Sequence, residues 1–283
     1  MPAVTGMRTT PLPSGEQVPV LGQGTWHLAE GRRPRDAEVA ALRRGLDLGL
    51  TLIDTAEMYG NGEAERLVGE AIAGRREDVF LVSKVLPQHA TAEGTIAACR
   101  ASLRRLGTDW LDLYLLHWRG RVPLSETLSG FETLLREGLI RYWGVSNFYV
   151  ADLAELVRHP GGDAVAADQV LYSLTHRTAE YEVLPWCLER GLPVMAYAPL
   201  DQGRLCDHPA VQAVADRHDA TAAQVAIAWV LQHEHTIAIP QTGSSAHVTE
   251  NRGALDLELT AADFTDLWDA FPAPLWPGRP KVY

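Results

Sequence analysis

The feature that most constrains this chain is an alternation of short, almost wholly apolar runs with longer amphipathic ones. The short runs are Leu50-Thr51-Leu52-Ile53, Val79-Phe80-Leu81-Val82, Leu111-Asp112-Leu113-Tyr114-Leu115-Leu116 and Arg141-Tyr142-Trp143-Gly144-Val145. They continue as Ala166-Ala167-Asp168-Gln169-Val170, Pro193-Val194-Met195-Ala196-Tyr197 and Thr236-Ile237-Ala238-Ile239, and residues 21–25 add an eighth. Runs this short and this apolar suit strands covered on both faces, as in a parallel sheet.

The intervening segments carry helical periodicity. Ile96, Cys99, Leu103 and Leu106 fall on one helix face, and Leu128, Phe131 and Leu135 on another, with Gly138 placed to end it. Thr221-Ala222-Ala223-Gln224 reads as a capping box opening Val225-Ala226-Ile227-Ala228-Trp229. Strands alternating with helices argue for parallel βαβ units. Eight such units in 283 residues, joined by short links, predict an α/β protein of one domain over residues 1–283, a (β/α)8 TIM barrel. Ahead of the first unit, residues 7–10 and 18–21 flank Pro11, Pro13 and Ser14-Gly15-Glu16, which predicts a short N-terminal β-hairpin closing the bottom of the barrel.

Charge and cysteine usage narrow the partners. With 25 basic and 36 acidic residues the net charge is −11, which repels nucleic acid and anionic lipid; Gly31-Arg32-Arg33 is too short a basic run to offset it. No apolar run is long enough to span a bilayer and the N-terminus lacks the apolar core of a signal peptide. Cys99, Cys187 and Cys206 are too few and too scattered for a disulfide framework, which suits a reducing cytoplasm.

Each strand then ends on a polar side chain that a buried strand would not otherwise carry. Asp54 follows Leu52-Ile53, Lys84 follows Phe80-Leu81-Val82-Ser83, His117 follows Leu115-Leu116, and Ser146-Asn147 follow Trp143-Gly144-Val145. Gln169, Tyr197 and Gln241 end later runs. The first four sites recur about 30 residues apart, one βα unit each, and C-terminal strand ends are where barrel active sites are built. A lone Lys84 ammonium there needs a counter-ion, and Asp54 on the neighbouring strand supplies one. An isolated pair of this kind is more often structural. Here Tyr59 lies five residues after Asp54 in the loop leaving that strand, and His117 comes one strand later. A cation beside a phenol lowers its pKa from about 10, so Asp54, Lys84 and Tyr59 together make a tuned proton donor, with His117 able to orient a carbonyl oxygen.

These residues resemble the aldo/keto reductase family. The matching pieces are Gly22-Gln23-Gly24-Thr25-Trp26, residues 54–60, Ser83-Lys84, Leu115-Leu116-His117-Trp118, Gly144-Val145-Ser146-Asn147, Asp168-Gln169-Val170-Leu171-Tyr172-Ser173, Ala196-Tyr197-Ala198-Pro199-Leu200 and Ile239-Pro240-Gln241 through Glu250-Asn251. They stand in family order across nearly the whole chain. The resemblance implies an NAD(P)H-dependent oxidoreductase that reduces aldehydes and ketones to alcohols, with Asp54, Tyr59, Lys84 and His117 as the catalytic tetrad and Tyr59 the general acid. It also implies that Ser146, Asn147 and Gln169 hold the nicotinamide carboxamide and that Tyr197 stacks on the ring. Gly24, Thr25, Trp26, Leu200, Gln241, Thr242, His247, Glu250 and Asn251 complete the cofactor contacts so implied.

No Rossmann fingerprint or Walker A loop is present. The adenosine end departs from the family pattern. Many members carry Lys-Ser or Lys-Thr and then an Arg to hold the 2′-phosphate, where this chain has Gln241-Thr242 and His247. Thr242, backbone amides and a helix start near Ser245 remain as phosphate ligands. Asp201 stands where the pattern has glycine, and its carboxylate is expected to face solvent. Trp26, Met58, Trp118 and Trp276 are the expected substrate walls, suited to small or aryl carbonyls in an open cleft.

Other features read as structural. His233-Glu234-His235 points its imidazoles apart at a helix end, so no metal is expected, and a metal-dependent barrel hydrolase lacks its ligand cluster. A second reading keeps the fold and cofactor but makes the protein a nicotinamide-binding redox sensor or scaffold with little turnover; the intact tetrad argues against it. The expectation is a cytoplasmic monomer that uses NADPH, and NADH as well. Because two cations are missing from the 2′-phosphate site, the NADPH preference in kcat/KM should stay below about a thousandfold, roughly 4 kcal/mol; a steady-state comparison of the two coenzymes checks this.

Overall fold

The structure, a computed structural model, describes residues 6–274. It opens with a hairpin: β1 (Thr9–Pro11) and β2 (Gln17–Pro19) pair antiparallel with Thr10 opposite Val18. Eight parallel strands follow: β3 (Gln23–Gly24), β4 (Leu52–Asp54), β5 (Phe80–Val85), β6 (Leu111–Leu116), β7 (Ile140–Ser146), β8 (Asp168–Leu171), β9 (Val194–Tyr197) and β10 (Thr236–Ile239). Each pairs with its neighbours in sequence, from β3 to β10. The ring closes where the first strand meets the last: the Gly22 amide donates to Ala238 O at 2.9 Å and the Gly24 amide to Pro240 O at 3.0 Å. Leu21 pairs with Ala238, and Gly24 with Gln241. Glycine at position 24 follows from that closure, since a Cβ there would lie 2.8 Å from Ile239 O.

Helices α1 (Arg35–Asp47), α2 (Glu63–Ile72), α3 (Ala92–Leu106), α4 (Leu124–Arg136), α5 (Val150–Leu156) and α6 (Val183–Leu188) fill the successive crossovers. Between β9 and β10 come two, α7 (Pro209–Arg217) and α8 (Ala222–Val230); α9 (Ser245–Gly253) and α10 (Ala261–Ala270) follow the last strand. The expected capping box is present: Thr221 Oγ1 accepts from the Gln224 amide, and Gln224 Oε1 accepts from the Thr221 amide. Gly138 adopts the left-handed conformation (φ 71°) just past the end of α4.

Two apolar layers result, because each strand sends alternate side chains to opposite faces. Leu52, Val82, Leu113, Leu115, Met195 and Ile237 fill the barrel, and Leu12 and Val18 of the hairpin join them from below. The outer layer packs strands against helices and holds Phe131 and Trp229, both fully buried. Polar bonds fix the hairpin: Arg141 at the start of β7 pairs with Glu16 and Asp112, and Tyr142 donates to Glu16 at 2.7 Å. So the hairpin closes the N-terminal end, as expected, and leaves the other end open for a site.

The α4 face differs from expectation. Leu124, Thr127, Phe131 and Leu134 are buried, whereas Leu135 is 37% exposed. The stripe turns toward α3, where Gly130 lets the backbones approach, with Thr95 and the Ala92 carbonyl against it. On α3 itself Cys99, Leu103 and Leu106 are buried as expected, and Ile96 is half-buried.

Because the seam has no room for a methyl group, Gly24→Ala should cost about 1–3 kcal/mol. A lowered urea midpoint with an unchanged denaturant slope would record it.

Candidate active site

The C-terminal strand ends bring the four expected catalytic side chains together. Lys84, on β5, is fully buried and donates to Asp54 Oδ2 at 2.8 Å, to Thr55 O at 2.8 Å and to the Tyr59 hydroxyl oxygen at 3.3 Å. An ammonium has three N–H donors, so each has a partner. The other Asp54 oxygen accepts from Gln169 Nε2 at 2.8 Å. A buried ion pair survives only when its remaining donors and acceptors are satisfied, and this one meets the condition.

Tyr59 sits in the loop between β4 and α2, whose residues Gly60, Asn61 and Gly62 all take positive φ. Glu57 ties this loop to the next: its Oε1 accepts from the Leu86 amide at 2.7 Å and meets His89 Nδ1 at 3.0 Å. The His117 ring packs edge-on to Tyr59 with centroids 5.8 Å apart. Because Lys84 can only donate, the Tyr59 oxygen accepts there and its own proton is free to point elsewhere.

The electrostatics correct one expectation. The Tyr59 phenol does not fall below its ordinary pKa beside Lys84; burial and the Asp54 carboxylate push it well above. Asp54 neutralises Lys84, so the phenol senses an ion pair and not a bare cation. Burial also lowers the Lys84 pKa, against the opposing pull of Asp54. Burial first, and then the Lys84 charge, hold His117 well below the usual imidazole range, so the ring is neutral.

A second cluster adjoins the first. Ser146 Oγ donates to Gln169 O at 2.8 Å, and Asn147 Nδ2 donates to His117 O and to Ser146 Oγ, both at 3.1 Å. The Tyr197 hydroxyl donates to Asn147 Oδ1 at 2.9 Å. Asn147 is held in the left-handed region (φ 58°), which turns its amide back over the strand ends. Thr25 Oγ1 donates to the Asp54 carbonyl at 3.0 Å, tying β3 to the tetrad.

Both clusters border one cleft of about 560 Å³, lined by Trp26, Met58, Tyr59, His117, Trp118, Ser146, Asn147, Gln169 and Tyr197. Arg119, Tyr149 and Asp152 also line it and were not legible beforehand. Arg119 follows the matched His117-Trp118 pair, and Tyr149-Asp152 forms the cap of α5, so each looked like an ordinary loop or cap residue. Trp276 lies outside the described residues.

The remaining expected cofactor positions form a separate stretch. Leu200 is half-buried, Gln241 and His247 are exposed, Glu250 is half-buried and Asn251 is buried. Thr242 Oγ1 accepts from the Ser244 amide at 3.1 Å just before α9. Asp201 is the second correction. It is only 4% exposed, pairs with Arg204 at 3.0 Å and His176 at 3.3 Å, and has φ 47°. The loop turns there through a left-handed conformation, and that turn buries the carboxylate. His233 lies just past α8, half-buried and edge-on to Tyr172. Among the described residues no group of three or more His, Cys, Asp or Glu is placed to hold a metal ion, and no helix is long and apolar enough to cross a membrane.

Comparison with known proteins fits this geometry. The aldo/keto reductase family model matches residues 20–270. The chain is 52% identical over 262 residues to the methylglyoxal reductase YeaE of Escherichia coli K12, covering 91% of this chain and 92% of that one. It is 34% identical over 256 residues to a glyoxal reductase of Bacillus subtilis, covering 90% of each. An aldo/keto reductase from Klebsiella pneumoniae, solved in complex with NADP and acetate, superposes with a TM-score of 0.94 at 46% identity, covering 98% of this chain and all of that one.

The buried neutral His117 gives a pH-dependent stability. Below its ordinary pKa of about 6.5 the unfolded chain takes up a proton that the folded chain does not. Stability therefore falls with pH below about 6.5, by up to about 1.4 kcal/mol per pH unit from this residue. His117→Gln should flatten that slope in urea titrations between pH 5 and 7.5; equal slopes would mean that the imidazole protonates in the fold.

Proposed function

The chain belongs to the aldo/keto reductase family, and from that premise we propose that the strand-end cleft is its catalytic centre, with Tyr59 as proton donor. The protein is an NADPH-dependent oxidoreductase that reduces carbonyl groups to alcohols. The observation that carries the assignment of the centre is the Tyr59 oxygen 3.3 Å from a fully buried Lys84 ammonium, itself anchored on Asp54.

The donor set fits a nicotinamide. Ser146, Asn147 and Gln169 present hydroxyl and amide groups along one wall, and Gln169 Oε1 accepts no hydrogen bond among the described residues, leaving an acceptor for a carboxamide N–H. Tyr197 offers a flat ring beside them. When bound, NADPH supplies the hydride. Tyr59 donates its proton to the carbonyl oxygen as negative charge develops there. Its raised pKa keeps it protonated until then, and an alkoxide is a far stronger base than a phenolate. Lys84 stabilises the phenolate left behind. Neutral His117 orients the carbonyl without competing for the proton. Trp26, Met58 and Trp118 exclude water from the reacting face.

Substrate class follows from the walls and from the relatives. Apolar aromatic walls around one polar floor suit small aldehydes and aryl aldehydes. The resemblance to a methylglyoxal reductase and a glyoxal reductase adds short 2-oxoaldehydes and dicarbonyls. All of these groups come from one chain, which supports work as a monomer. The three cysteines are free, which supports a reducing cytoplasmic setting. No observation favours the low-turnover sensor.

Tyr59→Phe should keep the fold and NADPH binding and lose at least about a hundredfold in kcat, the scale of positioned acid catalysis. The assay is coenzyme-absorbance turnover on a panel of methylglyoxal, glyoxal and aryl aldehydes. Near-normal turnover of the variant removes Tyr59 from the role, and inactivity of the wild type across the panel overturns the substrate reading.

A further inference from the structure

The loop that would meet the 2′-phosphate carries no cation of its own, because Gln241 and His247 stand where cations are common in the family. The structure assigns that cation elsewhere. The Gly24–Gln241 bridge that closes the barrel sets the loop after β3 beside the loop after β10, and α1 packs along α9. Gly31-Arg32-Arg33 lies in the first of these loops. Arg33 reaches the second: a Cβ at Gly243 would lie 3.0 Å from Arg33 Cδ. The guanidinium, two bonds further on, is therefore within reach of residues 242–246.

The neighbouring arginines are engaged. Arg32 meets Glu30 at 3.6 Å, Arg35 pairs with Glu70, Arg43 donates to the Glu70 and Ala71 carbonyls, and Arg44 donates to Thr249. Arg33 is exposed and forms no ion pair or hydrogen bond among the described residues. Glu38 borders the same glycine, with its Cγ also 3.0 Å from a Cβ at Gly243, but it is buried, and its Oε2 accepts from the Ala29 amide at 2.8 Å. The turn it overlooks is built from anion ligands. Thr242 offers a hydroxyl, and the amides of Ser245 and Ala246 open α9 with no acceptor inside the helix.

We propose that Arg33 clamps the 2′-phosphate of NADPH against the turn at residues 242–246, and so is the residue by which this chain distinguishes NADPH from NADH. The proposal rests on the NADPH-dependent reading above. A guanidinium matches phosphate geometry through paired N–H donors, which an exposed imidazole at His247 does not. It also answers a problem set by the net charge of −11, since a dianionic 2′-phosphate needs a local cation on a surface that otherwise repels it.

The test is titration of tryptophan fluorescence with NADPH and with NADH, for wild type, Arg33→Ala and Arg33→Lys. Arg33→Ala should raise the Kd for NADPH roughly 10- to 100-fold, the scale of a lost charge-assisted contact, and change that for NADH less than about twofold. Arg33→Lys should recover part of the loss, as a point charge without the fork. Equal losses for both nucleotides, or no loss for NADPH, overturn the proposal. A wild type that binds neither nucleotide overturns the reductase reading as well, so the two failures appear in different samples.

Discussion

The structure turns on one ammonium buried away from the surface. Lys84 is fully buried at the mouth of the barrel, and burying a charge there is costly unless every donor is met. Asp54, the Thr55 carbonyl and the Tyr59 oxygen meet them. Asp54 in turn needs its second oxygen satisfied, and Gln169 supplies that bond from the far side of the ring. Through Gln169, Ser146 and Asn147 the network runs to Tyr197 and back to the His117 carbonyl. Tyr59 and the amide-bearing wall of Ser146, Asn147 and Gln169 are thus parts of a single hydrogen-bonded unit.

The barrel makes that unit possible. Side chains from β4, β5, β7 and β8 reach it because parallel strands present all their C-terminal ends on one face. The opposite face is closed by the hairpin, whose Leu12 and Val18 extend the interior packing and whose Glu16 is held by Arg141 and Tyr142. One end is therefore closed by packing, and the other is left open around the strand-end cleft. The seam between β3 and β10 serves both, since it closes the ring and brings the loops at residues 25–34 and 240–245 side by side.

Much of this was legible in the chain. The strands, the capping box at Thr221, the hairpin and the strand-end polar residues follow from periodicity and from polar groups at positions where an apolar side chain belongs. Less legible were the features set by packing between distant elements. Leu135 fits a helical stripe, yet Gly130 draws α4 toward α3 and turns it outward. Asp201 has the composition of a solvent-facing residue, and only the left-handed turn at that point buries it. Arg119, Tyr149 and Asp152 border the cleft with no pattern to mark them.

What the sequence determined by itself is the barrel and the identity of the groups at its mouth. Alternation of apolar runs is a local property, and a charged residue ending such a run must find a counter-ion nearby. What only the tertiary structure decided is how those groups are tuned and which neighbours they acquire. The protonation of Tyr59 depends on how much water burial removes and on whether Asp54 cancels the field of Lys84. The reach of Arg33 to Gly243 depends on closure of the ring between residues about 200 positions apart. Desolvation and long-range contact are properties of a filled volume, and a linear pattern does not carry them.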